Sequence, residues 1–351
     1  MTATIERSTH TRQAGDDAIA VIDTYRGYVD DRFVVEPLAF KMPREAAYIG
    51  ESDVLFADAA DNTVGAYKWR GSIYGARMME EEGFVIPSAG NAARGAAIAA
   101  RVLDLSMIAV VPCTAPRAKM DGILELYPKA ELIIGGNTFD DCARSAQQLS
   151  QERGMPLLHP YDHPDVIAGQ GTIIDDLIEN CGSVPPHLVV PVGGGGLVAG
   201  LAQRLTELGR SDVTIHAVEA PGSNSMSRSL LAGRVVAAER PNARFGGSAV
   251  ARVGGHALAI CRAYSNLVIE SVTEREIDGV IGNYETDRRD LLREGTPNLE
   301  PTSLVAVAAL ASIVRSNPGE TVAVIGTGQN APLWPEPTPR PTHLLFQRNR
   351  R

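Results

Sequence analysis

Cysteine is scarce in this chain. Its 351 residues hold four, Cys113, Cys142, Cys181 and Cys261, with no C-x-x-C pair among them. That spacing offers neither a zinc-finger pattern nor a disulfide framework, so free thiols in a reducing compartment are expected. Long apolar runs are missing too, since nothing approaches the roughly 18 residues of a membrane span. The N-terminal stretch from Met1 to Asp17 has no hydrophobic signal-peptide core, which points to a cytoplasmic protein. Positive charge is in deficit: 33 Lys and Arg stand against 42 Asp and Glu, for a formal net charge of −9. Nucleic acid and anionic membrane are therefore not the expected partners. Two common nucleotide signatures, G-x-G-x-x-G and the GK[S/T] of a P-loop, are also absent, which removes the dinucleotide and ATP readings.

What the chain has is alternation. Short apolar runs at 107–111, 132–134, 188–192, 214–218 and 322–325 read as buried strands. Between them lie stretches of helical length at 92–103, 139–153, 171–180, 197–208, 274–294 and 303–315. Strand and helix in turn predict an α/β protein with mostly parallel sheets flanked by helices, and the length suits two domains. Residues 1 to about 17 read as a loose arm, 332–341 as a Pro-rich segment and 347–351 as a polar, basic tail. There is no internal repeat.

Four short motifs stand out. Gly193, Gly194, Gly195 and Gly196 follow one apolar run and precede a helix from Leu197. Glycines let successive backbone N–H groups turn toward one anion, and the helix start adds partial positive charge. A tight turn is the plain reading of a glycine run; the strand–loop–helix setting predicts a phosphate site instead, with no Lys or Arg required. Lys68 lies between Tyr67 and Trp69. Aromatic neighbours can desolvate an amine, lower its pKa and free it for Schiff-base chemistry, whereas an isolated Lys is ordinarily a solvated surface residue. Ser88-Ala89-Gly90-Asn91 sits before the helix that starts near Ala92. Ser and Asn there serve as caps, or leave free N–H groups for a carboxylate. Thr327-Gly328-Gln329-Asn330 closes the set.

In this order the motifs resemble the pyridoxal phosphate (PLP) enzymes of fold-type II, and within them the threonine/serine dehydratase branch. The resemblance runs from about Val64 to Asn330 and includes Ala115-Pro116, Lys119, the run from Asp165 to Thr172, Val218-Glu219 and Ser271-Val272-Thr273-Glu274. It implies a tryptophan synthase β-like architecture, with a small domain (83–162) inserted into a large PLP-binding domain (1–82 plus 163–351), and a homodimer. It implies that Lys68 carries PLP as a Schiff base and then removes the substrate's α-proton. Asn91 would bond the cofactor's ring hydroxyl, Gly193 to Gly196 its phosphate, and Thr327 its pyridine nitrogen. Ser88, Ala89, Gly90 and Ala92 would clamp the substrate carboxylate, with Glu300 nearby. The implied reaction is β-elimination from L-threonine, L-serine or another 3-hydroxy amino acid, giving a 2-oxo acid and ammonia.

The chain departs from the branch at several points. Ala92-Ala93-Arg94-Gly95 replaces the usual His-Ala-Gln-Gly, and Ala66 replaces a Ser. Arg94 either lies on the surface or recognises an acidic side chain such as that of a hydroxyaspartate. The segment 57–61 lacks the branch's Lys and Glu, which bears on substrate rather than cofactor. Ala89 stands where racemases carry a second Ser, which disfavours racemisation. Glu219, which the resemblance makes one ligand of some members' divalent metal site, has no Asp partner in 221–225, so the sequence leaves such a metal open but without support. Two alternatives remain. One is β-replacement, making a diaminopropionate- or cysteine-type product; the other is a PLP-binding protein without turnover.

Overall fold

Strand β6 (His187–Val192) is buried along its whole length and lies inside the larger of two sheets. A strand covered by helices on both faces must be apolar at successive positions, and Leu188, Val189, Val190 and Val192 meet that need. The computed structural model describes residues 14–30, 33–38, 53–291 and 299–329. Its larger sheet has the order β1 (Val34–Pro37), β2 (Val54–Asp58), β9 (Val322–Gly326), β6, β7 (Thr214–Glu219), β8 (Leu267–Ser271). Only the β1–β2 pair is antiparallel. The smaller sheet, β3 (Gly83–Pro87), β4 (Ser106–Val111) and β5 (Glu131–Ile134), is wholly parallel. This is the α/β architecture expected from the alternation.

In the smaller sheet the crossovers are α3 (Asn91–Leu103) and α4 (Arg117–Leu126), and α5 (Phe139–Arg153) follows β5. Thr138 and Asp141 start α5 with a reciprocal capping box. On one face of the larger sheet, Leu188, Val190 and Ile215 share a core with Leu201 and Leu205 of α8 (Gly196–Glu207). On the other, Val189, Val218 and Val324 share one with Leu310 and Ile313 of α12 (Pro301–Ser316), against which α11 (Glu274–Leu291) packs. Short helix α10 (Gly255–Ala263) adjoins α8, and α9 (Ser225–Ala232) packs against α10.

Two expectations need correction. Residues 14–17, expected to belong to a loose arm, are helical, because helix α1 starts at Ala14 and runs to Val29. Its first turn is held by Arg204, which pairs with Asp16 at 2.8 Å, and by Glu207, which accepts from Gly15 N–H at 3.1 Å. Residues 1–13, Asn330 and the expected Pro-rich and basic tails lie outside the described residues. The helix expected at 171–180 is the second of two, α6 (Pro164–Gly171) and α7 (Ile173–Cys181). His163 caps α6 by accepting from Asp165 N–H at 3.3 Å, with Pro164 in the first helical position.

Helix α2 (Trp69–Met78) lies so close to α6 that a Cβ on Gly71 would fall 2.4 Å from the Val166 carbonyl oxygen. The contact leaves Arg70 without solvent exposure, and its guanidinium pairs with Asp176 of α7 and with Thr172 Oγ1 at 3.1 Å. Arg26 of α1 joins Asp176 at 2.6 Å. A chain of polar contacts also crosses the larger sheet. Glu320 Oε2 lies 3.0 Å from His187 Nε2, His187 Nδ1 lies 3.0 Å from His216 Nε2, and His216 Nδ1 lies 2.9 Å from Glu270 Oε1.

Candidate active site

Lys68 immediately precedes α2, in a segment tied to the chain that leaves β9. Tyr67 N–H donates to Thr327 O at 3.3 Å, Gln329 N–H donates to Gly65 O at 2.9 Å, and Ala66 bridges Gly328. From the other side, Gly95 of α3 presses on the Lys68 backbone; a Cβ there would sit 2.9 Å from the Lys68 carbonyl carbon. The Lys68 amine is half-buried, 4.8 Å above the Tyr67 ring and 3.4 Å from the Pro160 carbonyl oxygen.

The same contacts bring Asn91, Glu300 and Thr327 together. Asn91 Nδ2 donates to Glu300 Oε2 at 3.0 Å, and Thr327 Oγ1 lies 3.5 Å from Glu300 Oε1. Burial pushes the Glu300 carboxyl up to about 7, against the lowering effects of the Lys68 charge, the Asn91 bond, Lys119 and Thr327. Ser303 steadies the turn: its Oγ accepts from Thr327 N–H at 3.0 Å and from Gly328 N–H at 3.2 Å. Beneath it, Asp58 accepts from Ala60 N–H at 2.9 Å and lies 3.4 Å from the Gln329 amide nitrogen. Burial raises Asp58 to about 6.

The four glycines join β6 to α8 in a space that admits no side chain. A Cβ would lie 2.0 Å from Gly247 O at Gly193, 2.3 Å from the Tyr161 ring at Gly194 and 2.3 Å from Tyr161 O at Gly196. Gly195 has φ +87°, a conformation that favours glycine. The first bond of α8 runs from Ala199 N–H to Gly195 O, so the N–H groups of Gly195, Gly196, Leu197 and Val198 have no partner within the helix. Backbone donors gathered at a helix start, with no room for a side chain, fit a phosphate group.

At α3 the first bond is from Arg94 N–H to Gly90 O, which leaves the Asn91, Ala92 and Ala93 N–H groups free of intrahelical partners. The Gly90 N–H is taken by Ser88 Oγ at 3.2 Å. Ala89, beside that turn, packs against the core that holds Trp69, Ala92 and Ala96. Arg94 is half-buried, with Nη1 directed at Gly122 of α4, where a Cβ would come within 3.3 Å. Its Nε is buried without a hydrogen-bond partner, and burial lowers its pKa, with Glu125 opposing. Glu219 stands apart from this group. Its Oε1 accepts from Met226 N–H at 2.7 Å and Ser227 N–H at 3.2 Å and so caps α9. Among the described residues no three His, Cys, Asp or Glu are gathered as a metal site.

Sequence reasoning missed His159, Tyr161 and Ser303. The first two belong to His159-Pro160-Tyr161-Asp162, just before α6, where a cluster of polar and aromatic residues at a helix start was the available signal.

A family model described as "Pyridoxal-phosphate dependent enzyme" matches residues 36–328. The chain belongs to this family. Its cofactor is pyridoxal 5'-phosphate, and the glycine cradle, the half-buried Lys68 amine and the Asn91 and Thr327 side chains are groups that fit it. The biosynthetic L-threonine dehydratase of Burkholderia multivorans is 32% identical over 71% of this chain and 48% of its own length. The chain thus spans about half the length of such curated relatives. The L-threo-3-hydroxyaspartate ammonia-lyase of a Pseudomonas species is 30% identical over 77% of this chain and 82% of that protein. The crystal structure of the threonine deaminase from T.th. superposes with a TM-score of 0.75 at 28% identity, covering 92% of this chain and 99% of that one.

Proposed function

We propose that this PLP-dependent enzyme is an ammonia-lyase that removes the β-hydroxyl of L-threonine, L-serine or a related 3-hydroxy amino acid. The observation that carries the reading is the meeting of Lys68, Asn91, Glu300 and Thr327 beside an open helix start and a glycine cradle. When bound, PLP supplies an electron sink that makes the α-proton of an attached amino acid removable. Lys68 Nζ would be the attachment point for the cofactor and the base for this proton. Thr327 would offer a neutral hydroxyl, not a carboxylate, to the ring nitrogen, which would keep the sink modest and favour prompt loss of the β-substituent. Asn91 would hold the cofactor's ring hydroxyl, and Glu300 fixes the Asn91 amide and accepts from the Thr327 hydroxyl. Ser88 shapes the turn so that the Asn91, Ala92 and Ala93 N–H groups face the substrate carboxylate. The β-hydroxyl takes up a proton and leaves as water. The released enamine hydrolyses to a 2-oxo acid and ammonia.

The same reading divides the chain into a large cofactor-binding domain (1–82 plus 163–351) and a small inserted domain (83–162), with the site between them. Support comes from the three-stranded sheet, all of which lies within 83–134. A cytoplasmic homodimer completes the proposal; among the described residues no helix is long and apolar enough to cross a membrane. The test is 2-oxo acid and ammonia release by the PLP-loaded protein from L-threonine, L-serine and 3-hydroxyaspartate, with no added nucleophile. Release from one of them and silence in Lys68→Ala are expected. Full activity in Lys68→Ala would refute the assignment, and spectral change without release would redirect it to β-replacement.

A further inference from the structure

One segment touches both the amine and the glycine cradle. Pro160 O is 3.4 Å from Lys68 Nζ, and the Tyr161 ring occupies the space over Gly194. His159 packs edge-on against that ring, with centroids 4.6 Å apart. His159 Nδ1 accepts from Asp162 N–H at 2.9 Å and from Tyr161 N–H at 3.4 Å. A ring nitrogen that accepts carries no proton, so the neutral imidazole has its proton on Nε2. Burial holds the ring neutral by pushing its pKa down to about 4; Asp162 opposes this, while His163, Lys68 and His256 add to it. Protonating Nδ1 would also break both backbone bonds. Among the described residues Nε2–H has no acceptor. The side chain is thus a donor with a locked tautomer, half-buried, beside Lys68 and the cradle, with its polar edge uncommitted.

We propose that His159 is a cofactor-binding residue whose Nε2–H donates to the phosphate of PLP, alongside the N–H groups of the first turn of α8. The proposal rests on the PLP reading of the site. It also explains why a polar ring is held so firmly by its other nitrogen: two backbone bonds orient one donor.

His159→Asn separates the two ends of the ring. Its amide oxygen replaces Nδ1 as acceptor for the two N–H groups, and nothing replaces Nε2–H. Cofactor-free wild type and variant would be titrated with PLP and with pyridoxal, which lacks the phosphate, by following absorbance. Loss of a hydrogen bond to a charged group should weaken PLP binding roughly tenfold or more, with pyridoxal binding unchanged. The phosphorus NMR resonance of the PLP-loaded variant should shift. Equal PLP affinity in the two proteins overturns the proposal. So does an equal loss for PLP and pyridoxal, the mark of a distorted segment. Failure of the wild type to take up PLP would overturn the cofactor reading and this proposal with it.

Discussion

Replacing Glu300 by Gln should make the stability of the cofactor-free protein less dependent on pH. The Glu300 carboxyl ionises at about 7 in the folded chain, against an ordinary 4.5. Below 4.5 it is protonated in both folded and unfolded states. Between 4.5 and 7 only the folded state keeps the proton, so raising the pH favours unfolding. Above 7 it is ionised in both, and the folded state bears the full cost of a shielded charge. At about 1.4 kcal/mol per pH unit that cost is about 3.5 kcal/mol, an upper figure because residual water screens it. Gln keeps an oxygen for Asn91 and never ionises. The stability of Glu300→Gln relative to wild type should therefore rise by about 2 to 3 kcal/mol between pH 5 and pH 8. For a chain of this size that is roughly 3 °C in thermal midpoint. Paired melting curves at the two pH values measure it. A wild-type-to-variant gap that stays the same at both would refute the argument that burial dominates at Glu300.

Other substitutions probe other contacts. Gly194→Ala places a methyl group 2.3 Å from the Tyr161 ring and should weaken PLP binding at least roughly tenfold, read by cofactor titration. Asp176→Asn removes the buried carboxylate charge that both Arg70 and Arg26 contact and should destabilise the fold by about 1–3 kcal/mol, visible as a lower urea midpoint. Arg94→Gln should reduce kcat/KM for 3-hydroxyaspartate more than for L-serine; equal effects would take Arg94 out of substrate selection.

Four interior strands, β4, β6, β7 and β9, were legible because burial on both faces demands unbroken apolar runs, whereas interior β2, Val-Leu-Phe-Ala-Asp, was not read as a strand. Edge strands β1, β3 and β8 also escaped notice; β8, Leu-Val-Ile-Glu-Ser, is short and half-exposed, and such a run differs little from a loop. Helix α2 was hidden for the opposite reason. Gly71 and Gly75 argue against a helix by propensity, yet α6 approaches so closely that only glycine fits. At the site, residues within a short motif could be read directly. His159 and Ser303 could not, since each acts through contacts with chain distant in sequence: His159 sits beside Lys68, and Ser303 holds the turn at Thr327.

The contacts that run from Glu320 through His187 and His216 to Glu270 impose a fixed proton count. Three hydrogen bonds at four ring nitrogens require three protons, and two neutral imidazoles own only two. Either the ladder holds one extra proton, on the ring pair or on one of the carboxyls, or one contact is a meeting of lone pairs. In the second case the weak link is at one end. The Glu320 side chain is 53% exposed, against 27% for Glu270, so it can turn to water while the two rings and Glu270 stay in register. A polar ladder across three strands thus has a release at the end nearest the solvent.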